Sequence, residues 1–402
     1  MKVSFKNSSG HDLIGYLELP LDQKAHNYIL MAHCFTCDKN FHGVRNISKA
    51  LTLKGFGVLR FDFTGLGESE GDFADSNFSG NVEDLIAAAN FLKDEYKSPT
   101  MVIGHSLGGA AAIFAAALLP EVTALATIGT PSSLSHVTHL LSDGLEKIKN
   151  TGEATINIGG RPFKIKKQFL EDLETKDLQK VMAGLRKSIL ILHSPQDTIV
   201  GIKNAEELYK AARHPKSFIS LDGANHLLSK REDSHYVGEL IGTWAYRYLE
   251  IPTVPQPQTS HEVVAQLDEE DKYTTYMKSG NHRFIADEPT SFGGNDYGPS
   301  PYDFLSAALA ACTSMTLQMY ARRKKWPLAV VETHVDHSKN HAEDCEHCEE
   351  PTAKIDTFER AINITGDLDE KQIAKLLEIA DKCPVHKTLH QKVQIKTSYK
   401  DK

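Results

Sequence analysis

Apolar residues fall in two different rhythms along this chain. Up to about residue 250, short apolar runs at 28–32, 57–61, 101–103, 124–128, 189–192 and 217–221 alternate with amphipathic stretches such as 81–94 and 204–213. Continuous apolar runs of strand length suit strands buried on both faces, and the helical periodicity between them supplies the covering layers. The pattern predicts an α/β fold, a mostly parallel sheet with helices on both faces. Between 132 and 186 the rhythm breaks into charged, partly helical sequence that includes T-I-N-I-G-G-R-P-F. That is far longer than the roughly two to six residues that usually join a strand to its helix, so a small cap inserted over a site is expected here.

Residues 251–261 hold three prolines within six positions, which forbids a helix interior or a central strand and predicts a stiff linker. Beyond it, from 262 to 402, the pattern changes to polar strand-like segments and a Gly/Pro/Asn/Asp-rich loop at 292–301. An apolar run at 302–324 is long enough for six helical turns. An amphipathic helix is expected over 369–383 and a closing strand over 392–398. This part reads as α+β, with the long apolar helix at its core. No repeat of 20 to 50 residues is visible, which excludes a solenoid.

A length of 402 residues fits the two domains that these rhythms delimit, 1–250 and 262–402. With 41% hydrophobic and 24% charged residues the chain can bury large cores. The formal charge is −8, and six of those negative charges lie after residue 260, which argues against nucleic acid as a partner. Residues 1–20 show no basic region followed by an apolar run, and the apolar run 110–119 is about half a membrane span, so a cytoplasmic protein without a membrane span is expected. Six cysteines are too few for a disulfide scaffold in a chain of this size, and each thiol needs its own reading.

The sequence M-V-I-G-H-S-L-G-G-A sets Gly104-His105-Ser106-Leu107-Gly108 between a short apolar strand and an Ala-rich helix, the context a G-x-S-x-G nucleophile elbow requires. The other members of such a triad follow in the order acid, then His, each in a loop after a strand. Asp197 in H-S-P-Q-D and His226 in D-G-A-N-H meet that order. Asp222 is the rival acid, but four residues before the His it suits a turn better. His105 is expected to pack rather than react. Cys34 and Cys37 form a lone C-x-x-C, which reads more simply as two small residues under a loop than as a redox or metal pair.

The region 1–250 resembles the α/β-hydrolase family, in which R-F-D-F-T-G-L-G-E-S-E-G, G-H-S-L-G-G, S-P-Q-D-T-I-V and G-A-N-H stand in the same order and spacing. The resemblance implies an oxyanion hole built from two backbone N–H groups, those of Leu107 and Phe35. It also implies hydrolysis of small-molecule carboxylic esters by Ser106, with His226 as base and Asp197 as its orienting acid.

Cys312 lies on the small-residue face of the long helix, in S-A-A-L-A-A-C-T-S-M, and Cys383 ends the later helix in D-K-C-P-V-H. Seventy-one residues apart, they have no reason in spacing alone to meet. The region 262–402 resembles the OsmC/Ohr family of thiol-dependent hydroperoxide reductases, through A-D-E-P at 286–289, G-P-S-P-Y-D-F-L-S-A-A-L-A-A-C at 298–312 and K-C-P-V-H at 382–386. The resemblance implies that Cys312 attacks an organic hydroperoxide, that Cys383 resolves the product, and that a dithiol reductant closes the cycle without metal or organic cofactor. It implies a supporting arginine and carboxylate, for which Arg283 and Asp303 are nearest, and at least a homodimer through this domain. The other reading open to it is a module that dimerises or captures substrate without turnover. His337, His341, Cys345, His347 and Cys348 crowd the acidic stretch 337–350, where ligand types permit zinc and the acids equally suit a solvated hairpin.

Overall fold

A computed structural model describes residues 1–34, 37–134, 142–158, 161–253, 255–341 and 354–399. The chain divides into two compact units, 1–254 and 255–402.

The first unit is built on an eight-stranded sheet. In chain order its strands are β1 (Lys2–Lys6), β2 (Asp12–Glu18), β3 (Asn27–Ala32), β4 (Phe56–Phe61), β5 (Pro99–His105) and β6 (Ala124–Ile128). A cap hairpin follows, β7 (Glu153–Ile158) and β8 (Arg161–Lys166), and then β9 (Ser188–His193) and β10 (Lys216–Ser220) complete the sheet. Its spatial order is β1-β2-β4-β3-β5-β6-β9-β10. The β1–β2 and β2–β4 pairs are antiparallel, and every pair from β4 to β10 is parallel. Alternate side chains of one strand serve opposite cores. Ile29 and Met31 of β3 join Val44, Ile47, Val237 and Ile241, from helices α1 (His42–Thr52) and α8 (Arg231–Tyr248). Leu30 and Ala32 instead join Phe78, Leu85 and Ala110, from α2 (Phe78–Glu95) and α3 (Leu107–Leu118). Helix α7 (Lys203–Ala211) adds Leu208 to that second face. Burial on both faces is why these strands read as unbroken apolar runs.

The cap comprises α4 (Ser142–Thr151), the β7–β8 hairpin, α5 (Lys167–Glu174) and α6 (Leu178–Gly184). The expected partly helical insertion is thus present, and within T-I-N-I-G-G-R-P-F residues 155–158 and 161–163 lie on two paired strand arms. The cap is pinned near the start of α2. The Asp172 carboxylate accepts from the Ser79 N–H and hydroxyl, both at 2.7 Å, and Phe163 meets Phe73 edge to face at 5.0 Å between ring centres.

The second unit has a three-stranded antiparallel sheet, β11 (Val263–Gln266), β12 (Thr275–Ser279) and β13 (His282–Ala286), and a long antiparallel hairpin, β14 (Leu328–His341) with β15 (Lys354–Gly366). Helix α9 (Pro301–Lys324) packs on that hairpin and on α10 (Glu370–Ala380), and α11 (Pro384–His390) follows directly. Ser300 and Asp303 close a reciprocal capping box at the start of α9, with Pro301 in its first turn. By length and composition α9 could cross a membrane. Here it lies along folded protein by a narrow stripe, Leu309, Thr313, Leu317 and Ala321, while Met315 and Met319 are 65% and 70% exposed. The expected core helix thus joins the core of its unit, through Leu317 and Ala321, by one side only. The expected strand at 392–398 does not form: the segment has no regular secondary structure and pairs with no described strand.

Candidate active sites

Strand β5 runs into Ser106, whose φ of 56° and ψ of −125° lie in a region that non-glycine residues rarely enter. That turn lifts the side chain to the head of α3. Its neighbours must be glycine for a steric reason. A Cβ at Gly104 would strike the backbone of Gly108 and Gly109, and one at Gly108 would strike the His33 carbonyl oxygen. The strand β3 exit thus lies in backbone contact with the Ser106 turn.

Asp197 follows β9 and His226 follows β10, and the parallel pairing of those strands brings both loops to the same edge as Ser106. His226 Nε2 is 3.0 Å from Ser106 Oγ, and its Nδ1 is 2.7 Å from Asp197 Oδ2. The other Asp197 oxygen accepts the Ile199 and Val200 N–H groups, each at 2.9 Å. Burial pushes the Asp197 carboxyl up, but the His226 bond and charge and these two N–H groups more than offset it and hold it below the usual value. It is an ionised, fixed acceptor. Asp222 is exposed and accepts from the Ser220 hydroxyl at 2.7 Å. His105 sits under His226. Burial, then the neighbouring His226, hold its pKa down to about 3, so it is neutral, and Nε2–H donates to the His226 carbonyl at 2.7 Å. Sequence order alone could not have found this contact.

Leu107 is buried at the first position of α3, and its N–H bonds to no described residue. It points from the open end of the helix, where N–H groups have no intrahelical acceptor. Phe35, the other expected donor, lies outside the described residues. The residues flanking it are strongly held. His33 Nδ1 is 2.8 Å from the Cys34 carbonyl, and the Phe63 N–H reaches His33 Nε2 at 3.4 Å. On the far side, Lys39 gives its N–H and its ammonium to Asp62, both at 2.6 Å, and the ammonium also meets Glu68. Burial works against the Lys39 charge, but the two carboxylates outweigh it and raise its pKa. Between these anchors Cys34 and Cys37 are joined as a disulfide, which corrects the reading of two small unlinked residues.

In the second unit the fold brings Cys312 and Cys383 into mutual hydrogen-bond contact across 71 residues of sequence. Cys383 is fully buried and caps α11, its sulfur accepting the His386 N–H at 3.4 Å; Cys312 is half-buried. Burial raises both thiols. At Cys383 the bonds from Cys312, His386 N–H and the Thr313 hydroxyl overcome it and bring the pKa below the ordinary value, while Cys312 stays above it.

Arg283 and Asp303 are not brought to this pair. Arg283 is exposed on β13, with no hydrogen bond or ion pair to either cysteine among the described residues. The Asp303 carboxylate accepts the Ser300 N–H at 2.9 Å as part of the α9 capping box. A guanidinium that does bond the residue next to Cys312 is that of Arg360 of β15. It donates to Thr313 Oγ1 at 3.0 Å, to the Ala380 carbonyl at 3.2 Å and to Asp381 at 2.6 Å. Of the histidine-cysteine stretch, His337 stacks on Tyr302 at 4.4 Å and meets Asp356 at 2.8 Å, and residues 342–353 lie outside the described residues.

Comparison with known proteins separates along the same division. The serine aminopeptidase (S33) family profile matches residues 38–150, and the OsmC-like protein profile matches residues 293–398. The esterase domain of a Rhodothermus marinus protein is 49% identical, the match covering 62% of this chain and 98% of that one, with a TM-score of 0.52. Est1E from Butyrivibrio proteoclasticus, solved with ferulic acid bound, shares the fold at 20% identity and a TM-score of 0.52, over 61% of this chain and 98% of its own. The mouse palmitoyl-protein thioesterase ABHD10, mitochondrial, is 27% identical over 206 residues, 49% of this chain and 68% of that protein.

Proposed function

Because the chain belongs to the α/β-hydrolase family through its first unit and carries an OsmC-like domain after a proline-rich linker, we propose a bifunctional enzyme: a serine carboxylesterase joined to a two-cysteine, thiol-dependent hydroperoxide reductase. The observation that carries the first half is the continuous chain from Ser106 Oγ through His226 to Asp197, at 3.0 and 2.7 Å. His226 takes the Ser106 proton as Oγ attacks the ester carbonyl, and Asp197 stabilises the imidazolium that forms. The Leu107 N–H, with that of Phe35, receives the developing oxyanion, an interaction typically worth roughly 10²–10³ in rate. His226 then protonates the departing alcohol, and water activated by the same base releases the acyl group.

In the second half, the reachable sulfur, Cys312, attacks the peroxide. Cys383 lies against Cys312, its thiol held below the ordinary pKa, and is placed there for the resolving step. The Cys312 thiolate displaces an alcohol from ROOH and becomes a sulfenic acid. Cys383 condenses with it, releasing water, and an external dithiol, available in a cytoplasmic setting, reduces the disulfide. The exposed apolar residues of this unit, among them Met315, Met319, Leu377 and Ile395, and the unpaired alternating segment 392–398 support a homodimer formed through it.

The test is chemical trapping in the full chain. A fluorophosphonate should add once, at Ser106, and dimedone should label Cys312 in Cys383→Ser protein treated with cumene hydroperoxide. Labelling at Ser106 without labelling at Cys312 would leave the esterase with a non-catalytic OsmC-like module.

A further inference from the structure

We propose that Cys34 and Cys37 form a second redox site, a disulfide opened by dithiols and closed by organic hydroperoxides, whose closure sets the loop facing Ser106 for ester hydrolysis. This rests on the serine-esterase reading above. Three observations carry it. The pair spans residues 34–37 with Cα atoms 5.3 Å apart, inside the range a disulfide bridges, and the Cys37 N–H also closes the turn onto the Cys34 carbonyl at 3.1 Å. The turn lies against the nucleophile, since the His33 carbonyl occupies the space a side chain at Gly108 would need. Both of its ends are fixed independently of the sulfurs, by His33 on one side and by the buried Lys39–Asp62 pair on the other.

That arrangement confines the effect of the bond. With 33 and 39 anchored, breaking the crosslink removes the covalent tie between Cys34 and Cys37, the pair that brackets the expected donor Phe35 in sequence, and leaves the anchors, the sheet and the triad in place. A donor aimed at an oxyanion works because it is already oriented when charge develops, so freedom there is felt in kcat more than in KM. The two sulfurs differ in access. Cys34 is buried and Cys37 half-buried, so an incoming thiolate attacks Cys37. Cys34 leaves as the thiolate, and the second thiol of the reagent then releases Cys37 and becomes a disulfide itself. In the closing direction the Cys37 thiolate cleaves ROOH to ROH and becomes a sulfenic acid, which Cys34 converts to the disulfide with loss of water. A disulfide in a reducing compartment is most often of this exchanging kind.

The experiment uses the full chain with Cys312→Ser and Cys383→Ser, so that the other pair cannot respond. Steady-state hydrolysis of p-nitrophenyl acetate is followed after cumene hydroperoxide and again after dithiothreitol, with peptide mapping of alkylated protein reporting the state of Cys34 and Cys37. Oxidised protein should yield the linked peptide. Reduction should lower kcat at least tenfold with KM within twofold, and reoxidation should restore it. Protein with Cys37→Ser added should sit at the reduced rate and ignore both reagents; because the reduced chain is measured without that substitution, a folding defect in it cannot mimic the result. A Ser106-dependent rate indifferent to mapped opening and closing overturns this inference alone, as does failure to find the linked peptide. Absence of Ser106-dependent hydrolysis in both states overturns the esterase reading and this inference with it.

Discussion

His105 shows how a residue without a part in the chemistry can still set its conditions. Its imidazole is fully buried, with a pKa of about 3 against 6.5 in a free chain, and its one described bond holds the His226 backbone. Between those two values the unfolded chain binds a proton that the folded chain refuses, so stability falls as pH drops from 6.5 toward 3. The slope from this one group is about 1.4 kcal/mol per pH unit. His105→Gln, which keeps a donor in place, should flatten the pH dependence of the urea midpoint over that window; an unchanged slope would contradict the assignment. The hydrogen-bonded chain of Ser106, His226 and Asp197 was legible because spacing and the strand-loop order carry it. Arg360 was not, because its contact with Thr313, 47 residues away, depends on how β15 pairs with β14.

Helix α9 had both its span and its cap residues written locally, in Ser300-Pro301 and the small-residue run that follows. What the apolar run could not state is how much of it this chain covers. Asp303 and Arg360 now divide the work assigned to one carboxylate and one arginine. Asp303→Ala should cost about 1 kcal/mol through the lost cap, read as a lower Tm, and leave hydroperoxide turnover per folded molecule unchanged. Arg360→Met should lower that turnover at least tenfold, by freeing Thr313, whose hydroxyl bonds Cys383, from its own partner. The reverse pattern would return the catalytic carboxylate to Asp303. Of the β14–β15 hairpin only a solvated hairpin at 337–350 was legible, as one of two readings, because its long arms are charged and only thinly apolar, and the 392–398 segment was read as a strand from an alternation that finds no partner among the described strands.

At the scale of the molecule, the two rhythms and the proline cluster marked two units. The first covers its sheet on both faces; the second leaves Met319 70% and Ile395 85% exposed, more apolar surface than a small lone domain usually shows. Sedimentation of the full chain should therefore report a dimer, and Met319→Asp should shift it toward monomer without lowering Ser106-dependent hydrolysis; a monomeric parent would contradict the covered face. The central claim, two independent chemistries on one chain, is tested most directly by assaying Ser106→Ala and Cys312→Ser proteins against both p-nitrophenyl acetate and cumene hydroperoxide with dithiothreitol. Each substitution should abolish one activity and spare the other, whereas ester hydrolysis surviving Ser106→Ala, or peroxide turnover surviving Cys312→Ser, would contradict it.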